Sequence, residues 1–244
     1  MRNKYPYVPI DFRPYAKDLE SVSSKFAYLG PDDSLNSQGW KCDEFTTDHE
    51  GKLHVLFSGC SFTQADGLET DESWAYKLWS DLDNTSGFFN LAELANNVPN
   101  LIFDIFKYCG LYGIPNKIYI LFPDVRRYYA PKDHFAVLDT DPDDADYAGI
   151  ASFQGYLMLE TLCKANGVDL ISTTWSDETY ELLGDFETFF KMNDDKLEEE
   201  AFKYLDQIPE EDKQYAVVSR SVRKDHPGIS IQHGYYKVIK DFHK

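Results

Sequence analysis

The stretch HVLFSGCSFTQADGLETDESW, residues 54–74, decides how this chain is read. Its first four residues, His54 to Phe57, form an apolar run of the length a buried strand needs. Ser58-Gly59-Cys60-Ser61 follows as a tight turn of small residues. A loop comes next, and then a helix with Asp71 as its cap. A serine on a sharp turn at the carboxyl end of a parallel strand stands where open α/β sheets place reactive groups. Small residues also suit such a turn for steric reasons alone, so its meaning depends on the rest of the chain.

Downstream, Ala75, Leu78, Trp79 and Leu82 recur at helical spacing, which predicts a helix over 72–83 with one buried face. Phe88 to Ala92 reads as a short strand. Val98, Leu101, Ile102, Ile105 and Cys109 repeat the helical period, with Asn97 at the cap, Pro99 in the first turn, and Gly110 and Gly113 ending the helix. Lys117 to Phe122 is a β-branched and aromatic strand. Residues 124–147 show no period, as expected of a lid, a binding loop or an insertion. A helix then runs to Asn166 and stops at Gly167, and Val168 to Thr173 makes a fourth strand.

Residues 177–213 are strongly acidic, yet Leu197, Ala201, Tyr204, Leu205 and Ile208 keep a helical stripe. This predicts a solvated helix with one packed face. The chain closes with a loop around His226-Pro227-Gly228 and a last helix. Upstream of the quoted stretch, residues 1–35 read as an irregular Tyr- and Pro-rich arm packed through Tyr5, Tyr7, Phe12, Tyr15 and Phe26. Residues 36–244 then form one domain. Strands alternating with helices at these lengths predict an α/β three-layer sandwich with a parallel sheet, flavodoxin-like in architecture.

Composition narrows the possible functions. The 244 residues are 43% hydrophobic and 16% aromatic, enough for a substantial core. The net charge of -18, from 42 acidic against 24 basic residues, repels phosphate backbones and argues against nucleic acid as a partner. No apolar run reaches the roughly 20 residues of a membrane helix, and the N-terminus lacks the apolar core of a secretory signal. Cys42, Cys60, Cys109 and Cys163 show no paired or zinc-binding spacing, as expected of reduced thiols in a cytoplasmic setting.

With these elements in place, the order of short motifs becomes informative. Ser34-Leu-Asn-Ser-Gln-Gly-Trp40 is followed by the first strand, Gly59-Cys-Ser-Phe-Thr63, Gly67-Leu68 and Asp71-Glu-Ser-Trp74. This opening resembles that of SGNH/GDSL hydrolases, in the divergent form common in phage and bacterial genomes. Asn90-Leu-Ala92 resembles the second block of that family, Phe122-Pro-Asp-Val-Arg126 the third, and His226-Pro227-Gly228 the last.

The resemblance implies a serine ester hydrolase that removes an acyl group from a carbohydrate or another polar small molecule, with no cofactor and no metal. Ser61 would be the nucleophile and His226 the base that activates it. The backbone N–H of Ser61 would hold the oxyanion, joined by Ala95 and Asn96 at the second block. The alternative is a member that has lost catalysis and keeps the fold as a binding or assembly module with protein partners, such as a phage virion component. The corresponding locations are the cytoplasm or the virion.

The chain departs from the family pattern at four places. Cys60 replaces the aspartate of G-D-S, Ala95 replaces the second-block glycine, and no asparagine follows Phe122. Arg223 stands where the family has the aspartate three residues before its histidine. A working site would then need another acceptor for the second ring nitrogen of His226: Asp225 first, through a bent backbone because neighbouring side chains of an extended segment point apart, or else a main-chain carbonyl or a carboxylate from elsewhere. Elsewhere, Asp139, Asp141, Asp143 and Asp144 mimic the start of a calcium loop but lack its glycine and its closing glutamate. Arg126-Arg127-Tyr128-Tyr129 offers a grip for an anionic substrate or partner, or else a surface ion-pair cluster.

Overall fold

The fold is built around strands that are apolar on both faces. The computed structural model describes residues 35–94, 96–129, 136–138, 142–220 and 226–242. Among them, β1 (Val55–Gly59), β2 (Phe89–Asn90), β3 (Lys117–Phe122) and β6 (Asp169–Thr174) form one parallel sheet in the order β2-β1-β3-β6. β4 (Arg127–Tyr129) and β5 (Ala136–Leu138) pair antiparallel as a separate ribbon. The register sets Phe57 beside Asn90, Gly59 beside Leu121 and Phe122 beside Thr174, so the carboxyl ends of all four strands finish at one edge.

Alternation along the strands feeds two cores. Leu56, Ile118, Ile120 and Phe122 face one layer, filled by α3 (Val98–Tyr112), α4 (Pro142–Asn166) and Leu183 of α5 (Asp177–Leu183). Val55, Phe57, Tyr119 and Leu121 face the other. There they meet Trp74 and Leu78 of α2 (Trp74–Ser80), Leu197 of α6 (Asp194–Leu205), and Tyr235, Val238 and Ile239 of α7 (Ile229–Phe242). A sheet covered on both faces needs near-continuous apolar strands, which is why these runs carry few polar residues. The expected α/β three-layer sandwich is what the chain forms.

The winding creates a crevice at β1. The crossover from β1 to β2 carries α2 on one face, whereas the crossovers from β2 to β3 and from β3 to β6 carry α3 and α4 on the other. Right-handed crossovers running in opposite directions from one strand require helices on opposite faces. The loops after β1 and β3 therefore part company at the carboxyl edge, where open α/β sheets bind ligands.

Several boundaries differ from the sequence reading. Ser58 and Gly59 belong to β1 rather than to the turn. The helix expected over 72–83 is a 3-10 turn, Thr70–Glu72, followed by α2, and its cap is Ser73 rather than Asp71, because the Ser73 hydroxyl accepts the Tyr76 N–H at 3.1 Å. Asn97 does cap α3, accepting the Asn100 N–H at 2.9 Å, but Gly110 lies within that helix and Gly113 alone ends it. The aperiodic stretch after Asp124 holds the β4–β5 ribbon and the first turns of α4, and the acidic helix expected over 177–213 is divided into α5, α6 and a 3-10 turn, Glu210–Tyr215. The arm at residues 1–34 and the calcium-like Asp139 and Asp141 lie outside the described residues. Cys42, Cys60, Cys109 and Cys163 form no disulfide with one another. Among the described residues, no helix is long and apolar enough to cross a membrane.

Candidate active site

The turn after β1 is shaped by close packing. A Cβ on Gly59 would stand 2.1 Å from the Thr63 hydroxyl and 2.8 Å from the Leu121 carbonyl, so only glycine fits there. Cys60 begins α1 (Ser61–Gln64), with its carbonyl accepting the N–H groups of Thr63 and Gln64. Ser61 thus opens the helix and is almost wholly buried at 4% exposure. The helix ends after one turn because Ala65 adopts the left-handed conformation at φ 57°, and the Asp66 N–H donates back to the Ser61 carbonyl at 3.1 Å. This six-residue closure is usually made with glycine, and an alanine there costs about 1 kcal/mol. It folds Asp66 back towards the start of the turn.

Two long-range amides hold this turn. The Gln232 side chain on α7 donates to the Phe62 carbonyl at 2.8 Å and accepts the Trp74 N–H at 3.0 Å. Asn90, at the end of β2, donates to the Thr63 carbonyl at 3.3 Å and accepts the Ala92 N–H at 3.0 Å. The asparagine of the second block therefore braces the serine turn.

His226 reaches the same place from the other end of the chain. Its carbonyl accepts the Ser219 N–H at 3.0 Å, Pro227 bridges Val218, and the Gly228 N–H donates to the Val217 carbonyl at 2.8 Å. A Cβ on Gly228 would meet the Tyr215 and Ala216 carbonyls at 2.3 and 2.6 Å, which explains the glycine after the proline. The Arg220 N–H donates to the Gly67 carbonyl, tying this loop to the segment that follows Asp66. The imidazole packs edge-on against Phe62, with ring centroids 5.8 Å apart. Its Nε2 lies 3.9 Å from Asp66 Oδ2, and both side chains are buried. That separation is an ion-pair distance, longer than a hydrogen bond.

The structure thus brings together the Ser61 turn, His226 and Asp66, of which the sequence reading named Ser61 and His226 but not Asp66. It follows Ser61 by five residues, in what read as a spacer before Gly67. Arg223, Asp225 and Ala95 lie outside the described residues. Asn96 is described and buried; its amide oxygen accepts the Asn97 N–H at 3.0 Å, and its Nδ2 has no hydrogen-bond partner among the described residues. The Glu93 N–H donates to the Gly59 carbonyl, so the segment leading to Asn96 runs beside the end of β1. At the start of α1, the N–H groups of Ser61 and Phe62 have no carbonyl of their own helix to bond.

The third motif proves to be a structural turn. Asp124 is buried and takes two hydrogen bonds from the Arg126 guanidinium, at 3.0 and 2.7 Å, and one from its N–H. Burial alone would raise the Asp124 pKa, but these bonds outweigh it and hold the carboxyl below the ordinary range. Arg126 also pairs with Glu178 at 3.1 Å, so its charge is already committed. Arg127 instead lies over the Trp175 ring at 5.4 Å, and Trp175 packs on Phe62 at 5.1 Å.

Among the described residues, no group of three or more His, Cys, Asp or Glu could hold a metal ion. An open hollow of about 420 Å³ lined by Lys191, Met192, Asn193, Asp194 and Asp195 shares no residue with the serine–histidine cluster.

No protein-family model matches the chain, and no curated protein matches it. Solved structures do match. One is the crystal structure of a member of the lipolytic protein G-D-S-L family from Veillonella parvula, at 12% identity and a TM-score of 0.46, with 78% of this chain and 97% of that chain covered.

Proposed function

We propose that this chain is a serine hydrolase of the SGNH/GDSL type that cleaves an acyl ester of a carbohydrate or similar polar substrate. The observation that carries this reading is the buried His226–Asp66 pair set against Phe62, the residue after Ser61, at the carboxyl end of β1. A hydroxyl is a poor nucleophile until a positioned base removes its proton. A carboxylate beside the imidazole favours the imidazolium that forms.

In this mechanism Ser61 Oγ attacks the ester carbonyl while His226 takes its proton. Asp66 faces Nε2, which leaves Nδ1 to serve the serine, and the 3.9 Å gap tightens as the ring becomes charged. The Ser61 N–H and Asn96 Nδ2 donate to the oxyanion, Nδ2 finding there an acceptor that it lacks among the described residues. Collapse of the tetrahedral intermediate expels the alcohol, protonated by His226. Water, deprotonated by the same ring, then attacks the acyl-serine and releases the acid.

The test is labelling with a fluorophosphonate, expected for the wild type and lost in Ser61→Ala. A chelator should leave labelling and ester hydrolysis unchanged. Labelling that persists without Ser61 would refute this reading.

A second reading keeps the fold as a binding or assembly module. It draws on the exposed apolar residues of α4, Tyr147, Ile150, Leu157 and Met158. It is favoured if neither labelling nor hydrolysis is found.

A further inference from the structure

We propose that Arg127, laid on Trp175, binds a carboxylate carried by the ester substrate. The inference rests on the hydrolase reading and adds a substrate class to it. Three observations lead there.

The first is position. Arg127 follows the carboxyl end of β3, its N–H donating to the Asp124 carbonyl at 3.1 Å. Its guanidinium lies over Trp175, which follows the carboxyl end of β6. Trp175 packs on Phe62, and Phe62 packs on His226, so an unbroken run of contacts joins Arg127 to the catalytic group.

The second is uncompensated charge. Arg126 is consumed by Asp124 and Glu178, whereas among the described residues no carboxylate pairs with Arg127. A half-buried guanidinium with no anionic partner among the described residues, in a chain carrying a net charge of -18, is an unusual arrangement. The protein's own acidic field repels anions at a distance, so an anionic substrate needs a local cation at the site.

The third is preorganisation. Stacking on an indole holds the guanidinium plane and leaves its edge N–H groups available. That edge presents two parallel donors and matches a carboxylate bidentately. The flanking Phe62 and Trp175 rings supply an apolar floor between this charge and the reacting carbonyl.

The experiment compares 4-nitrophenyl hemisuccinate, whose acyl group carries a carboxylate, with neutral 4-nitrophenyl acetate. Arg127→Gln should lower kcat/KM for the hemisuccinate by about tenfold to a hundredfold, the range of charge-assisted hydrogen bonds, and leave the acetate within about twofold. Arg127→Lys should recover only part of the loss, because an ammonium lacks the fork. Equal effects on both esters, or no effect on either, would overturn the proposal.

A second arm does not depend on turnover. Succinate is titrated by NMR into Ser61→Ala and into Ser61→Ala with Arg127→Gln. Binding lost with Arg127 supports the subsite even if neither ester is hydrolysed, in which case only the hydrolase reading falls. Absence of binding in Ser61→Ala, or binding indifferent to Arg127, overturns the subsite.

Discussion

Asp66→Asn isolates the electrostatic part of the proposed mechanism, because the replacement keeps the shape of the side chain and the N–H that closes the turn onto Ser61. The imidazole and carboxylate are exposed by only 6% and 3%, and stand 3.9 Å apart. Two unit charges about 4 Å apart interact by about 4 kcal/mol at an effective dielectric of about 20. Loss of that interaction from the imidazolium-like transition state is worth about a thousandfold in rate. Removing the acid of a serine triad costs about ten-thousandfold in turnover, so the two figures agree in scale. The variant is expected to lower kcat for 4-nitrophenyl acetate by about three orders of magnitude with KM little changed, since the neutral ground state gains little from the carboxylate. Steady-state hydrolysis, with melting temperature and far-UV circular dichroism confirming the fold, provides the measurement. If Asp66→Asn keeps kcat within about tenfold of the wild type, another group orients His226 and the argument from this pair fails.

Two further expectations follow from individual side chains. Asn96→Ala removes the buried amide donor and should cost about a hundredfold to a thousandfold in kcat, the usual penalty for an oxyanion donor; unchanged turnover would return Nδ2 to a purely structural role. Stability should decline as pH falls from about 6.5 towards 4. Burial, reinforced by nearby His49 for His54 and by Lys237 and Lys77 for His233, lowers both pKa values to about 4. The unfolded chain, with histidines near 6.5, therefore binds more protons in that window, and each group contributes a slope of at most about 1.4 kcal/mol per pH unit. His233 is half-buried and contributes less. Urea denaturation at pH 7.5, 5.5 and 4.5, repeated for His54→Gln, should show the decline and its partial relief. A flat profile would mean that neither histidine is held neutral by the fold.

Much of the architecture was legible in local sequence, for definable reasons. Val55 to Phe57 and Ile118 to Phe122 are apolar at every position, and such short runs bounded by glycine or proline suit strands covered on both faces. The α3 cap at Asn97, with Pro99 behind it, was equally clear, because capping depends on residues within one turn. The helix stop at Gly167 follows from its φ of 66°. Periodicity does not distinguish competing caps, so Ser73 took the place expected for Asp71. Short elements such as α5 have too few turns to establish a period.

The candidate site was only partly legible. Ser61 and His226 stand out as candidates because each lies in a turn whose glycine, Gly59 or Gly228, is required by backbone packing and so leaves a mark in the sequence. What sits beside His226 leaves no local mark. Asp66 meets it only because Ala65 turns the chain back and the segment Val217–Ser219 pairs with the His226–Gly228 turn, while Asp66 and His226 themselves are about 160 residues apart in the chain and joined only by folding. The same holds for the neighbouring arginines. Side by side in sequence they are equivalent cations; in the structure Arg126 is neutralised by Asp124 and Glu178, while Arg127 lies over Trp175 with no carboxylate partner among the described residues. Local sequence encodes which residues are buried and where the chain turns. Which charges meet across the carboxyl edge of the sheet is decided by tertiary packing, since Coulomb interactions depend on distance in space and carry no signature of separation along the chain.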